Sequence, residues 1–221
     1  MRKIVTIRRK ALAASEEHAS KLRARFSESG TLVLNLISSP GSGKTTLLET
    51  TVGRLADRLR IAVIEGDVAT ERDADRIRAL GVPAHQVLTG GACHLDARQI
   101  EGALESASLL PADILVIENV GNLICPTTYD LGEDSKIALL SVTEGDDKPF
   151  KYPAIFSRAD VTVITKSDLL PYVPFDVDAV KEHVSSLNPS GTILVVSSTT
   201  GDGIDDWCNL LLDRLESKRQ S

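Results

Sequence analysis

Lys44 and Thr45 follow a glycine-rich turn, Ser38-Ser-Pro-Gly41-Ser42-Gly43, and precede Thr46. Backbone N–H groups in such a turn, at the start of a helix, concentrate positive potential where a chain of phosphates can lie. A lysine in this place reaches the β and γ phosphates, and the hydroxyl after it ligates Mg²⁺. Gly41, Ser42, Gly43, Lys44, Thr45 and Thr46 are therefore the candidate phosphate-binding residues. The first glycine of the pattern G-x-x-x-x-G-K-[ST] falls on Ser38, whose short side chain is compatible with the turn.

Two acidic positions and one glycine extend this set. Asp67 ends an apolar run and can hold Mg²⁺ or orient a water, and Glu118 ends another, where an acidic residue stands behind the metal. Gly121 is placed to bring its N–H to the γ-phosphate. Lys44, Thr45, Asp67 and Glu118 make up the expected catalytic group, with Thr45 and Asp67 on the magnesium. Thr165-Lys166-Ser-Asp168 resembles the guanine-reading N-K-x-D element of GTPases. A carboxylate at Asp168 accepts N1–H and the exocyclic N2–H₂ of guanine, a donor pair that adenine lacks; a polar group left unpaired in a buried site is what discriminates between bases. The stem of Lys166 would lie along the base. Thr165 replaces the Asn of the pattern, so an amide that braces the phosphate loop is expected to be lost, weakening affinity without changing base choice. Ser197 and Ser198 follow the last strand and are expected to reach the guanine edge.

Cys93, His94 and Cys125 form a separate set. Two thiols and an imidazole suit Zn²⁺ with an open or shared position, or Ni²⁺ in a thiolate-rich plane. Spacing alone leaves buried thiols as the alternative. Cys208 lies on the apolar stripe of the last helix and reads as core, while His18, His85 and His183 stand apart. Cys125 comes four residues after Gly121, so a loop that senses the γ-phosphate should also move a metal ligand.

The elements that hold these groups are legible as apolar patterns. Leu32–Ser38, Ile61–Ile64, Gln86–Leu88, Ile114–Ile117, Ile137–Val142, Val161–Ile164 and Ile193–Val196 are short runs expected as strands. Leu48, Val52, Leu55 and Leu59 share a helical face, as do Ile100 and Leu104, and Ile204, Trp207, Cys208, Leu211, Leu212 and Leu215. The spacing predicts a first helix over Ile7–Phe26 with Leu12, Ala19, Leu22 and Phe26 inward. A charged segment holds Thr70, Glu71, Asp73 and Asp75, and Glu144–Pro153 shows no regular period. Continuous apolar strands alternating with helices give an α/β class with a mostly parallel central sheet covered on both faces. The polar motifs all lie at carboxyl ends of strands, where such sheets bind ligands.

The 221 residues carry a formal charge of −6, which argues against nucleic acid as a partner. Residues 1–30 are the exception, with eight Lys/Arg against three Glu, and are expected to form a basic helical extension ahead of a globular domain over 31–217. Three cysteines in this length do not make a disulfide framework. No apolar run is long enough to span a membrane, and the basic N-terminus lacks the apolar core of a signal peptide, so a cytoplasmic location is expected.

Four stretches carry a wider likeness: Gly90-Gly-Ala-Cys-His-Leu-Asp96, Glu118-Asn-Val-Gly-Asn-Leu-Ile-Cys-Pro126, Ser141-Val-Thr-Glu-Gly-Asp-Asp-Lys148 and Thr165-Lys-Ser-Asp-Leu-Leu-Pro-Tyr172. Together they resemble the hydrogenase nickel-incorporation GTPases, the HypB family, over residues from about 30 to 215. The resemblance implies a SIMIBI-class P-loop GTPase that uses GTP and Mg²⁺ and assists nickel delivery to the large-subunit precursor of [NiFe] hydrogenase. It implies a HypA-type zinc accessory protein as partner, and a Ni²⁺ or Zn²⁺ site at Cys93, His94 and Cys125. It also implies a homodimer, formed with GTP or metal or permanent, through Leu169 and Val173, with Lys148 near the partner's nucleotide. Some members carry an N-terminal cysteine motif or histidine tract. Residues 1–30 have no cysteine and only His18, so no second nickel store is expected there. No arginine is evident as a catalytic finger, so slow turnover is expected. The competing readings are a GTPase serving another nickel enzyme such as urease, against which the Cys-His pair argues, and a metal-binding module with a vestigial nucleotide site, against which Lys44, Thr45 and Asp168 argue.

Overall fold

The computed structural model describes residues 2–67 and 72–220, with side chains from residue 15 onward. Thr70, Glu71 and the inward placement of Leu12 lie outside the described residues. The chain runs α1 (Arg2–Ser29), β1 (Leu32–Ser38), α2 (Lys44–Leu55), β2 (Ile61–Asp67), α3 (Arg72–Arg78), β3 (Ala84–Leu88), α4 (Ala97–Ser106), β4 (Ile114–Glu118), β5 (Ser135–Ser141), α5 (Lys148–Lys151), α6 (Pro153–Phe156), β6 (Val161–Thr165), α7 (Val177–Leu187), β7 (Thr192–Val195) and α8 (Ile204–Gln220).

The seven strands form one sheet in the order β3-β2-β4-β1-β5-β6-β7. Every pairing is parallel, so the sheet is wholly rather than mostly parallel. Its central strands are apolar on both faces because each face carries helices. On β1, Leu32, Leu34 and Leu36 enter the layer formed with α2 and α8, around Leu48, Val52, Trp207 and Leu211. Val33 points the other way, toward α1 and α4, and Ile37 joins Phe156, Val180 and Val184 of α6 and α7. Trp207 Nε1 donates to Thr51 Oγ1 at 2.8 Å, which satisfies its one polar atom inside the core and fixes α8 on α2. Cys208 is buried in the same layer.

Several elements differ from their sequence expectations. The first helix runs from Arg2 to Ser29, beyond both ends expected of it. Its second half belongs to the globular body: Ala19, Leu22 and Phe26 are buried in the cluster that includes Val33 and Leu115. The helix after the glycine-rich turn stops at Leu55, before Leu59. The β5 run ends at Ser141, because the Ser141 side chain caps a 3-10 turn that starts at Val142. The stretch without a regular period leads into two four-residue helices over residues 148–156, each opening near a proline. Helix α7 was not anticipated, although Asp176 supplies its N-cap by accepting from the Ala179 N–H at 2.9 Å.

Candidate functional site

The turn after β1 and the first residues of α2 line a cleft of about 490 Å³, along with Glu65, Gly66 and Asp67 from β2, Glu118–Gly121 after β4, and Lys166. Gly41 and Gly43 have φ of 77° and 89°, a backbone region that glycine alone enters without strain. The Lys44 ammonium donates to Ser38 Oγ at 2.9 Å, and Ser38 Oγ donates on to the Ser39 carbonyl. The serine in the place of the first glycine thus gives the buried lysine its hydrogen-bond partner. Ser42 is fully buried, and its hydroxyl is taken up by the Ser39 carbonyl and Glu144 Oε2, at 2.8 and 2.6 Å. Its offer to a phosphate is therefore its backbone N–H.

Thr45 Oγ1 donates to Glu118 Oε1 at 3.0 Å, and Lys44 Nζ lies 3.9 Å from the same oxygen. Glu65, which the sequence reading passed over, stands beside Glu118 in register on the adjacent strand. Both are buried. Glu65 Oε1 and Glu118 Oε2 have no hydrogen-bond partner in the protein. Burial, then the Glu118 charge, pushes the Glu65 carboxyl up to about 10. Burial also raises Glu118, against the pull of Lys44 and the Thr45 hydroxyl. Glu65 is thus the neutral member of the pair. The Glu118 carboxylate, with one oxygen unpartnered and the other on the Thr45 hydroxyl, is a hard oxygen donor lining the cleft, so the site fits Mg²⁺ with its water shell. Asp67 lines the same cleft. Arg76 of α3 also lines it, but its guanidinium is held by Glu49 and Asp73.

A second recess of about 190 Å³ adjoins the first and is lined by Gly43, Thr46, Thr165, Lys166, Asp168, Leu169, Ser198 and Thr199. Ser197 stands behind it. Its buried hydroxyl donates to Asp168 Oδ1 at 2.6 Å and accepts from the Thr199 and Thr200 N–H groups. This orients the carboxylate from behind and leaves Ser198 on the recess wall. Thr165 does the bracing that was expected to be lost: its Oγ1 donates to the Ser42 carbonyl at 2.6 Å. Lys166 adopts a left-handed conformation, φ 59°, and its ammonium donates to the Gly41 carbonyl at 2.7 Å. Both residues tie the base recess to the phosphate turn.

Cys93, His94 and Cys125 come together on the same rim of the sheet, one ligand atom of each lying within 4.8 Å of the others. The loop after β3 supplies the first two, and Asp96, closing that loop, caps α4 in a capping box with Gln99. A 3-10 turn over Cys125–Thr128 carries the third. The His94 ring packs on Tyr129, centroids 3.8 Å apart. Burial lowers the His94 pKa, against the nearby Asp96, which leaves the neutral ring a lone pair to give a metal. Cys93 is raised, first by its hydrogen bond with Cys125 and then by burial. Two thiols and a neutral imidazole are a soft donor set suited to Ni²⁺ or Zn²⁺.

Leu169 and Val173 are half-buried hydrophobics packed on the α6/α7 layer, with the exposed Tyr172 between them. Lys148 Nζ lies 3.8 Å from Glu144 Oε1. His18, unassigned by sequence, bonds Glu101 of α4 at 2.6 Å. His183 stacks on Phe150 and His85 meets Ser106.

Residues 32–195 match the family model described as CobW/HypB/UreG, nucleotide-binding domain. The hydrogenase maturation factor HypB of Escherichia coli K12 is 54% identical over 193 residues, which are 87% of this chain and 67% of that protein. The hydrogenase/urease maturation factor HypB of Helicobacter pylori 26695 is 45% identical over 226 aligned positions, 92% of its length. A crystal structure of Helicobacter pylori HypB in complex with nickel superposes with a TM-score of 0.88 at 44% identity, covering 94% of this chain and 98% of that one. The signal recognition particle 54 kDa protein of Aeropyrum pernix shares the fold, with a TM-score of 0.58 at 12% identity over 85% of this chain and 49% of that one.

Proposed function

The chain belongs to the CobW/HypB/UreG family and, within it, to the HypB maturation factors, and from that premise we propose that it is a GTP-hydrolysing metallochaperone that binds nickel and assists its insertion into the large subunit of [NiFe] hydrogenase. The observation that carries this reading is the assembly of Cys93, His94 and Cys125 on the rim that also holds the phosphate cleft. Lys44 and the backbone N–H groups of the turn would stabilise charge developing on the transferred phosphoryl group. Thr45 and Asp67 would hold Mg²⁺, which draws electron density from the phosphate oxygens, with Glu118 behind them. Asp168, oriented by Ser197, would select guanine. Arg76 is committed to Glu49 and Asp73, which supports slow, switch-like turnover.

Nickel is the cargo in this reading, and zinc competes for the same three ligands. The resemblance supplies the remaining partners: a HypA-type zinc accessory protein, a large-subunit precursor, and a second copy docked through Leu169 and Val173, all in the cytoplasm. Urease is the second client to test, because the Helicobacter pylori relative carries both enzymes in its description.

Titration of the purified protein with Ni²⁺ and Zn²⁺, with a non-hydrolysable GTP analogue and again with GDP, and with mass read by light scattering, tests the proposal. Metal affinity that changes with nucleotide, in a dimer, is expected. Identical affinities in the two states would leave a GTPase with a separate structural metal site. Absence of GTP hydrolysis would leave a metal-binding module.

A further inference from the structure

Both segments that carry the metal ligands are fastened to one side chain. Asn122 Nδ2 donates to the Cys93 carbonyl at 3.2 Å, across 29 residues of sequence. Its Oδ1 accepts from the Ile124 N–H at 2.8 Å and the Cys125 N–H at 3.4 Å. The amide thus spans the gap between the loop after β3 and the turn after β4, and sets how far apart the two cysteine backbones stand.

The residue before it is pressed against the phosphate turn. A Cβ on Gly121 would lie 2.9–3.1 Å from Pro40 Cγ, N and Cα, so the two backbones touch with no room for a side chain. A second contact of the same kind lies behind the loop. Leu95, next to His94, fills the space a Cβ on Gly66 would need, at 2.7 Å. The Leu95 N–H is held by the buried Asn119 Oδ1 at 3.1 Å. The base of each metal segment is therefore anchored to the sheet, at Leu95 and at Asn119, and the tips are joined to each other by the bonds of Asn122 and by the hydrogen bond between the Cys93 and Cys125 thiols. Asn122, bonded to the backbones of both thiol-bearing residues and adjoining Gly121 in the chain, is placed to carry a displacement of Gly121 to both at once.

We infer that Asn122 is the positioning residue that couples nucleotide state to metal affinity, by holding Cys93 and Cys125 at ligating distance in one position of Gly121 and spreading them in another. It is neither among the residues that line the nucleotide cleft nor among the three candidate metal ligands. The inference rests on the nucleotide-gated reading above and adds to it the residue that transmits the change.

The test compares the parent chain with Asn122→Asp and Asn122→Ala. The Asp variant keeps the acceptor for the Ile124 and Cys125 amides, so the turn stays folded, and replaces the donor to the Cys93 carbonyl with an oxygen that repels it; the Ala variant removes the donor without adding charge. Nickel affinity is measured with a GTP analogue and with GDP, GTP hydrolysis is followed in parallel, and alkylation of Cys93 and Cys125 in metal-free protein is read by mass spectrometry. In both variants the ratio of nickel affinities is expected to fall to roughly one, and the nucleotide dependence of alkylation to vanish, while hydrolysis stays within about threefold of the parent. A parent whose ratio differs from one and an Asp variant that keeps that ratio would overturn the role of Asn122 and leave nucleotide gating standing. A parent ratio of one would overturn the gating reading itself, and this inference with it.

Discussion

Thr165 shows how a departure from a motif can be repaired by a different atom. An Asn amide in this place would reach the phosphate turn with a nitrogen donor; here a hydroxyl reaches the Ser42 carbonyl at 2.6 Å. Thr165→Ala removes one buried neutral hydrogen bond and orphans a carbonyl, so GDP affinity is expected to weaken about fivefold, with the preference for guanine over adenine intact. Calorimetric titration with GDP and ADP checks it; a change in base preference would mean that Thr165 shapes the recess rather than the turn. Glu65 gives a prediction with a sign. Its folded value stands at about 10 against an ordinary 4.5, so between those values the folded chain holds a proton that the unfolded chain has released. Stability of the nucleotide-free protein therefore contains a contribution that declines as pH rises. Glu65→Gln deletes that contribution, and its stability relative to the parent is expected to increase from about pH 5 to about pH 8 in denaturant unfolding. A flat difference would show Glu65 ionised when folded.

The elements owe their placement to two kinds of signal, and only one of them is local. Strands β1, β2, β4 and β6 are readable because both faces are covered and their runs are apolar or small, the buried Asn35 of β1 excepted. The turn after β1 is readable because glycine, lysine and threonine sit at fixed offsets. Helix α7 does carry a legible signal: Val177, Val180, Val184 and Leu187 recur at helical spacing on the face that packs into the core, after the Asp176 cap. Glu65 escaped because a carboxylate at the end of a strand is ordinary until its neighbour in the sheet is known to be Glu118. Asn119 and Asn122 were inside a recognised motif, yet their bonds run to residues that only folding brings near. Close packing of the same origin marks Gly66: a methyl group there meets Leu95 Cδ1 at 2.7 Å. Gly66→Ala is expected to cost about 1–3 kcal/mol, as over-packing does, and to weaken nickel binding because the displaced leucine directly follows His94. Urea unfolding and metal titration of the variant check both; an unchanged nickel affinity would show that Leu95 can yield without moving its loop.

At the scale of the molecule, one parallel sheet turns all its strand ends carrying function toward the same rim, and helices close the rest. The long first helix is part of this closure. Arg23 Nη2 donates to both carboxylate oxygens of Asp130, in the loop that runs from Cys125 to β5, and His18 bonds Glu101 on the helix that follows His94. The metal-bearing segments are thus backed on one side by a helix and fronted on the other by the nucleotide cleft.

Cys93 and Cys125 belong to different connections of the fold, and a single ion bound to both closes residues 93–125 into a ring. Such an ion is a removable cross-link. It restricts the unfolded and partly opened chain much as a disulfide would, while it remains exchangeable. Thermodynamics then requires a symmetry between the two ligands: whatever factor the nucleotide applies to the grip on nickel, nickel applies to the grip on the nucleotide. GDP and GTP-analogue affinities measured with and without Ni²⁺ should reproduce the factor found in the metal titrations, and unequal factors would mean that a third state, such as the dimer, enters the cycle. A metal-loaded chain and an empty one would in that case hold the hydrolysis product with unequal affinity, by that same factor.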